Sequence, residues 1–272
     1  MAAGTQRAGS QLAVVYRRQD REGIKVVSRS VPFFNATKAG SSVLVRVAYA
    51  GINPVDAKGL VGDKLPPWLS TLVARRAIEG RVVGFDFSGT VASVPAGCQK
   101  FKVGDPVFGT MPPGVGSFCE QVVAPLDQIA RKPASLSFAE AAALPLVGLT
   151  AYQALLQDNG LCAGQHLLLI GASGGVGHVA LQVAKSVGAT VTAVCSARNK
   201  DLVMSMGADR VVDYTRGGLE EQLKEAAAQG GKFNLCFDTV SSLEEKVLSH
   251  PSPALSNRAP AASRMTCNEK TT

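Results

Sequence analysis

Apolar positions along the chain fall into three textures, and each predicts a different architecture. Up to about residue 130 they come as short runs with the look of strands, at 12–17 (LAVVYR), 42–47 (SVLVRV), 81–87 (RVVGFDF), 103–108 and 119–123. Turn-forming Val103-Gly104-Asp105-Pro106 and Pro112-Pro113-Gly114 separate them. Many short strands at this density predict a small β-barrel or a partly open sheet. Near residue 138 the texture changes. Ser137-Phe138-Ala139-Glu140 has the form of a capping box heading an Ala-rich helix through 141–143, and a second helical stretch is expected over 148–157. From there apolar runs alternate with amphipathic segments. Strands are expected at 166–170, 190–194, 210–214 and 234–238, with helices at 176–187, 200–206 and 219–229 between them. This alternation is the rhythm of βαβ units in a doubly wound parallel sheet. After about residue 241 no apolar periodicity remains. The Ser/Pro/Ala-rich stretch 249–263 and polar end 266–272 predict a disordered tail, with at most a short helix around 243–248. The expected organisation is therefore 1–130, 131–240 and a tail over 241–272.

Composition narrows the function classes. The chain has 272 residues and a net charge of +7, which suits anionic partners in general. Residues 1–40 hold five Arg and two Lys against one Asp and one Glu, but no run of five like charges occurs anywhere, so nucleic acid is not the expected partner. Cys98, Cys119, Cys162, Cys195, Cys236 and Cys267 form no CxxC pair, which points to a reducing compartment. No apolar run reaches the ~18 residues of a membrane span. The cytoplasm is the default expectation, with chloroplast or mitochondrion as alternatives.

The main chemical signal is the segment Leu167-Leu168-Leu169-Ile170-Gly171-Ala172-Ser173-Gly174-Gly175-Val176-Gly177. An apolar strand runs into a turn with Gly171, Gly174 and Gly177 at G-x-x-G-x-x-G spacing, and the turn opens an amphipathic helix. Glycine lets the backbone turn tightly and lets a pyrophosphate approach the N–H groups of the helix start. An NAD site would carry Asp or Glu at the end of the next strand. This chain has Cys195-Ser196-Ala197-Arg198-Asn199-Lys200 there. Ser196 can donate to a 2′-phosphate and Arg198 can pair with it bidentately, so NADPH is expected. Gly171, Gly175 and Gly177 also fit the turn of short-chain reductases. Those enzymes carry a Tyr-x-x-x-Lys pair, whereas Tyr16, Tyr49, Tyr152 and Tyr214 are followed four residues on by Asp20, Asn53, Leu156 and Gly218.

Several motifs, in order, resemble one family. Gly51-Ile52-Asn53-Pro54-Val55-Asp56 is similar to a GxNxxD segment and Gly84-Phe85-Asp86-Phe87-Ser88-Gly89 to a G-x-[DE]-x-x-G strand. Phe101-Lys102-Val103-Gly104-Asp105-Pro106-Val107 is similar to an F-x-x-G-D-x-V turn, and the stretches 142–152 (AALPLVGLTAY) and 207–214 (GADRVVDY) complete the set. Together they resemble the zinc-free, quinone oxidoreductase-like branch of the medium-chain dehydrogenase/reductase superfamily over residues 11–240. The details of 196–199 look closest to chloroplast envelope quinone oxidoreductase homologues and related enone reductases. The resemblance implies a GroES-like β-barrel plus a Rossmann domain, with the active site in the cleft between them, and a small-molecule quinone or enone as substrate. It places Asn53 near nicotinamide and substrate, Lys58 toward cofactor or substrate, and Thr150 beside the nicotinamide ribose. It sets Ser173, Gly174, Gly175 and Val176 around the pyrophosphate, and Ser196, Arg198, Asn199 and Tyr214 around the 2′-phosphate. Asn53 could equally close an Asn-Pro turn, and Tyr214 could be an ordinary strand-end aromatic.

No metal is expected. Asn53 stands where zinc alcohol dehydrogenases place their first Cys, Phe85-Asp86 replaces their His-Glu pair, and the chain has three His in all. A full sheet of this kind has six parallel strands. Four are expected here, so the sheet is expected to be incomplete and its hydride-transfer end compromised. On that count a truncated, non-catalytic NADPH-binding or interaction protein is the alternative to a working reductase. A homodimer, common in the family through the sheet edge, is in doubt for the same reason.

Overall fold

Short apolar runs broken by glycine and proline become antiparallel strands in the computed structural model, which describes residues 9–17, 24–37, 40–58, 79–112 and 115–240. The disordered tail and short helix expected within 241–272 lie outside the described residues. The chain divides into two compact units, one ending at Leu146 and the other beginning at Val147.

In the first unit, β1 (Ser10–Tyr16) and β2 (Ile24–Ser30) form an antiparallel hairpin. Strands β3 (Ser42–Gly51), β4 (Asp86–Ser93), β5 (Pro106–Thr110), β6 (Gln121–Pro125) and β7 (Ile129–Arg131) form a five-stranded antiparallel sheet in the order β6-β3-β4-β5-β7. Its core gathers Val43, Val45, Phe87, Val91, Phe101, Val107 and Val122. Helix α1 (Pro54–Lys58) follows β3, and α2 (Phe138–Ala142) starts on the expected capping box. In that box Glu140 donates its N–H to Ser137 Oγ at 3.2 Å, and Ser137 N–H donates to Glu140 Oε2 at 2.8 Å.

Two sequence expectations shift here. The strand expected over 81–87 is broken because Gly84 adopts φ +97°, where an added Cβ would lie 2.3 Å from the Phe118 ring. Only Val82 bridges, to Val15, and the paired strand begins at Asp86. The strand expected over 103–108 starts at Pro106, because 102–105 form a turn in which Lys102 N–H donates to Asp105 Oδ2 at 3.0 Å. Strands β2 and β7 and helix α1 were not anticipated.

Helix α3 (Pro145–Tyr152) begins at the end of the first unit and continues in the second into a π-helical turn over Gln153–Gln157, which together replace the single helix expected over 148–157. Strands β8 (His166–Ile170), β9 (Thr190–Cys195), β10 (Arg210–Asp213) and β11 (Leu235–Asp238) alternate with α4 (Gly175–Ser186), α5 (Lys200–Ser205) and α6 (Leu219–Gly230). All four strands are parallel, in the order β10-β9-β8-β11. The side-chain alternation of a strand assigns the two faces. Leu167, Leu169, Val191 and Ala193 pack with Ala180, Leu181 and Ala184 of α4 and Val203 of α5. Leu168, Ile170, Val194 and Val212 pack with Leu223 and Ala226 of α6 and with Phe233. Both faces of the sheet are thus covered, which is why its strands read as unbroken apolar runs. The chain order reverses direction between β8 and β11, the point of such a sheet where ligands bind at the carboxyl ends. No helix among the described residues is long and apolar enough to cross a membrane.

His166 holds the far end of β8. Its Nδ1 lies 2.9 Å from the Gly231 carbonyl, its Nε2 lies 2.8 Å from Thr192 Oγ1, and its ring packs against Phe233. Burial pushes its pKa below the ordinary value, helped by Arg210 and opposed by the Gly231 hydrogen bond and Asp209. Because the folded-state value is depressed, the unfolded ring takes up a proton near pH ~6.5 that the folded ring refuses. The histidine's contribution to stability is therefore present above that pH and lost as pH falls through it. Melting of wild type and His166→Gln between about pH 8 and pH 5 checks this. The stability advantage of the wild type should shrink toward the acid end, and parallel curves would contradict it.

Candidate active site

The turn after β8 is shaped by what a side chain would hit. Gly171 has φ +77°, and a Cβ there would meet Val240 Cγ2 at 2.4 Å and Thr239 Oγ1 at 2.5 Å. Thr239 in turn donates its N–H (3.2 Å) and its hydroxyl (2.9 Å) to the Ile170 carbonyl, clasping the end of β11 to the end of β8. Gly171 and Ala172 N–H both donate to the Val194 carbonyl at 3.1 Å, tying the turn to β9. A Cβ on Gly177 would lie 2.1 Å from the Gly171 oxygen, so α4 packs against the turn only because Gly177 has none. Gly174 is the N-cap of α4, and the first backbone helical bond there runs from His178 N–H to the Gly174 carbonyl at 3.0 Å. The N–H groups of Gly175, Val176 and Gly177 precede that bond and have no partner within the helix. With the positive end of the helix dipole they suit a pyrophosphate.

The turn and the end of β9 are joined by Asn199, whose Nδ2 donates to Ser173 Oγ at 2.9 Å. Ser196 is buried, Arg198 is exposed, and Asn199 N–H donates to the Ser196 carbonyl at 2.9 Å. Ala197 N–H reaches across to Asp213 Oδ1 at 3.1 Å. Asp213 also accepts the N–H (2.9 Å) and hydroxyl (2.6 Å) of Thr215. The Thr215 bonds, Ala197 and the charge of Arg216 hold its carboxyl below the usual carboxylate range. Asp213 thereby positions the loop that carries Arg198, and Tyr214 follows it with its ring exposed. Ser173, Gly174, Gly175, Val176, Ser196, Arg198, Asn199 and Tyr214 thus all sit at the carboxyl ends of β8, β9 and β10. Thr150 is an exposed residue of α3, and Val147 of that helix would lie 3.8 Å from a Cβ on Gly175.

Asn53 belongs to the first unit, where it caps α1. Its N–H donates to Asp56 Oδ2 at 2.6 Å and its carbonyl accepts Asp56 N–H at 3.0 Å, with Pro54 in the favoured first helical position. Its side chain is buried, and Nδ2 donates to Asp86 Oδ2 at 3.0 Å. Asp86 is fully buried on β4 and accepts Leu146 N–H on both oxygens at 3.1 Å, while Ser117 Oγ donates to the Asp86 carbonyl at 2.9 Å. Burial pushes the Asp86 carboxyl up, against hydrogen bonds from Leu146, Asn53 and Thr110. Asp56 is also pushed up by burial, its Oδ1 is buried without a partner among the described residues, and the Tyr16 hydroxyl donates to its carbonyl at 2.6 Å. Lys58 ends α1, and its side chain lies outside the described residues. Sequence reasoning missed Asp56, Asp86 and Asp213 as site-shaping residues. The available signal was an acidic residue inside an otherwise apolar stretch, as at Asp86 between Phe85 and Phe87.

Two family profiles match. The alcohol dehydrogenase GroES-like domain covers residues 39–134, and a profile described as zinc-binding dehydrogenase covers residues 175–249. The mitochondrial NAD(P)H oxidoreductase RTN4IP1 of Mus musculus is 39% identical over 218 residues, 75% of this chain and 53% of that protein. The chloroplast envelope quinone oxidoreductase homolog of Arabidopsis thaliana is 37% identical over 201 residues, 71% of this chain and 57% of that protein. This chain therefore spans little more than half the length of these relatives. Among solved structures, the quinone oxidoreductase from Coxiella burnetii superposes with a TM-score of 0.71 at 30% identity, covering 85% of this chain and 69% of that one.

Proposed function

Because the chain belongs to the quinone oxidoreductase-like branch of the medium-chain dehydrogenase/reductase superfamily, we propose that it binds NADPH and reduces a quinone or an α,β-unsaturated carbonyl without zinc. The observation that carries the reading is the joined pair of turns at the carboxyl ends of β8 and β9. One presents helix-start N–H groups to a pyrophosphate, and the other offers Ser196 and the exposed Arg198 in place of an acidic residue. Bound there, NADPH would supply a hydride to the quinone or to the β-carbon of the enone.

The chain's own groups then have defined tasks. Ser173 to Val176 hold the pyrophosphate, Ser196, Arg198 and Tyr214 surround the 2′-phosphate, and Thr150 lies toward the nicotinamide ribose. Asn53 has a second Nδ2 hydrogen beyond the one given to Asp86, able to stabilise the oxygen that gains charge. Conjugation in a quinone or enone spreads that charge, so no Lewis acid is required. The residue chemistry agrees, since Asn53 and Phe85 stand where a Cys and a His would ligate zinc, and neither offers a thiolate or an imidazole. Burial also pushes the Cys119 thiol up to about 11 and raises Cys195, which keeps both from being ready thiolates. The scattered cysteines, with no CxxC pair, suit a reducing compartment, whether cytoplasm, mitochondrion or chloroplast.

The test is steady-state oxidation of NADPH by this chain with a simple benzoquinone, with a linear enone and with an aldehyde, each with and without a zinc chelator. The proposal expects turnover with the first two that the chelator leaves unchanged. Turnover confined to the aldehyde and abolished by the chelator would overturn it, and binding without any turnover would make the chain a nucleotide binder alone.

A further inference from the structure

We propose that Asp86 is a positioning residue for Asn53: its buried carboxylate takes one Nδ2 hydrogen and so dictates which way the Asn53 amide faces. The inference rests on the reading that Asn53 stands at the reaction site. A carboxamide is nearly symmetric in shape, so packing alone does not choose between its two orientations. The partner chooses. With Asp86 ionised, the observed orientation places an N–H against Oδ2 at 3.0 Å, and the flipped one would set oxygen against oxygen. The backbone of Asn53 is fixed independently through Asp56 Oδ2 at 2.6 Å, leaving the side-chain amide as the degree of freedom that Asp86 controls.

The cluster around Asp86 is built to resist exchange with water. The residue is fully buried, and Leu146 N–H donates to both its oxygens. Gly51, the last residue of β3, makes room for it, since a Cβ there would lie 3.1 Å from Asp86 Cβ and 2.4 Å from the Ala142 carbonyl. Among the described residues, the other ionisable group acting on Asp86 is Asp56, a like charge. The orientation is therefore conditional on ionisation. A protonated Asp86 could donate to Asn53 Oδ1 and accept the flipped amide. Burial raises the pKa of Asp86, so the flip becomes accessible at a higher pH than it would beside an exposed aspartate.

The direct experiment needs no turnover. In the full chain labelled with nitrogen-15, the Asn53 side-chain amide is assigned by its loss in Asn53→Ala. One of its two protons should be shifted downfield, slow to exchange with solvent, and moved by acid as Asp86 takes up a proton. In Asp86→Asn, which preserves size and still offers an acceptor to Leu146, that shift and protection should disappear while the backbone spectrum stays folded. An Asn53 amide resonance unchanged in Asp86→Asn would overturn the proposal.

A kinetic cycle separates this inference from the reading beneath it. Asn53→Ala and Asp86→Asn should each lower kcat for quinone reduction by about 10- to 100-fold with NADPH affinity unchanged, and the double variant should be no worse than Asn53→Ala. A harmful Asn53→Ala beside a silent Asp86→Asn, or effects that multiply, would sink the positioning role alone. A silent Asn53→Ala would remove Asn53 from the reaction site, and the positioning role with it.

Discussion

Gly177→Ala should destabilise the second unit by about 3 kcal/mol and abolish NADPH binding, while Gly175→Ala should leave the fold at least as stable and still weaken binding. The two glycines are two residues apart on the same turn, yet they meet different surroundings. A Cβ on Gly177 would lie 2.1 Å from the Gly171 oxygen and 2.8 Å from Ala172 Cα, both backbone atoms. Those atoms have little room to retreat. Gly171 and Ala172 are bonded to the Val194 carbonyl, and Thr239 holds the carbonyl just before them. Helix α4 would have to back away, taking with it Ala180, Leu181 and Ala184 from the core and the N–H groups that face the pyrophosphate. At Gly175 an added Cβ would meet, among the described residues, Val147 Cγ1 at 3.8 Å, and alanine in the first turn of a helix gains up to ~1 kcal/mol over glycine. Thermal melting and NADPH titration of both variants check the pair. Equal melting temperatures would contradict the packing account, and unimpaired NADPH affinity in Gly175→Ala would contradict the placement of the pyrophosphate.

The second large effect is expected at Arg198. Removing a guanidinium that pairs with a phosphate forfeits charge-assisted bonds of ~1.5–3 kcal/mol, which corresponds to about 10- to 100-fold in affinity. Arg198→Ala should therefore weaken NADPH by that factor and leave NADH unchanged. Because Arg198 is exposed, the loss should come without a change in stability. Arg198→Lys keeps the charge without the planar fork and should fall between the two. Titrations with both cofactors check this, and a parallel loss of NADH affinity would mean that the side chain acts on the loop and not on the phosphate.

How much of this was legible in the sequence depended on burial. The strand His166–Ile170 has all five residues buried, and the expected and observed bounds coincide. The helices after it were placed to within one residue at each end, because a strand–glycine–helix rhythm fixes both boundaries. Strand β2 was invisible because six of its seven residues are exposed, leaving no alternation to read. The run 81–87 misled because Gly84 turns the chain inside an apolar stretch, which hydrophobicity alone does not reveal. At the site, the glycine turn and Arg198 could be read directly, since their chemistry lies in the residue types. The grip of Asp86 on Asn53 spans 33 residues, and that of Asp213 on the Arg198 loop spans 16. Such pairings depend on which strands become neighbours, and no local pattern announces them.

The central claim is that the carboxyl ends of β8, β9 and β10 hold the adenosine phosphates of NADPH. Calorimetric titration of the chain with 2′,5′-ADP and with 5′-AMP tests it without involving nicotinamide or acceptor. The account predicts that 2′,5′-ADP binds at least ~10-fold more tightly and that Arg198→Ala erases the difference. Equal affinity for the two nucleotides, or no binding of either, would contradict it.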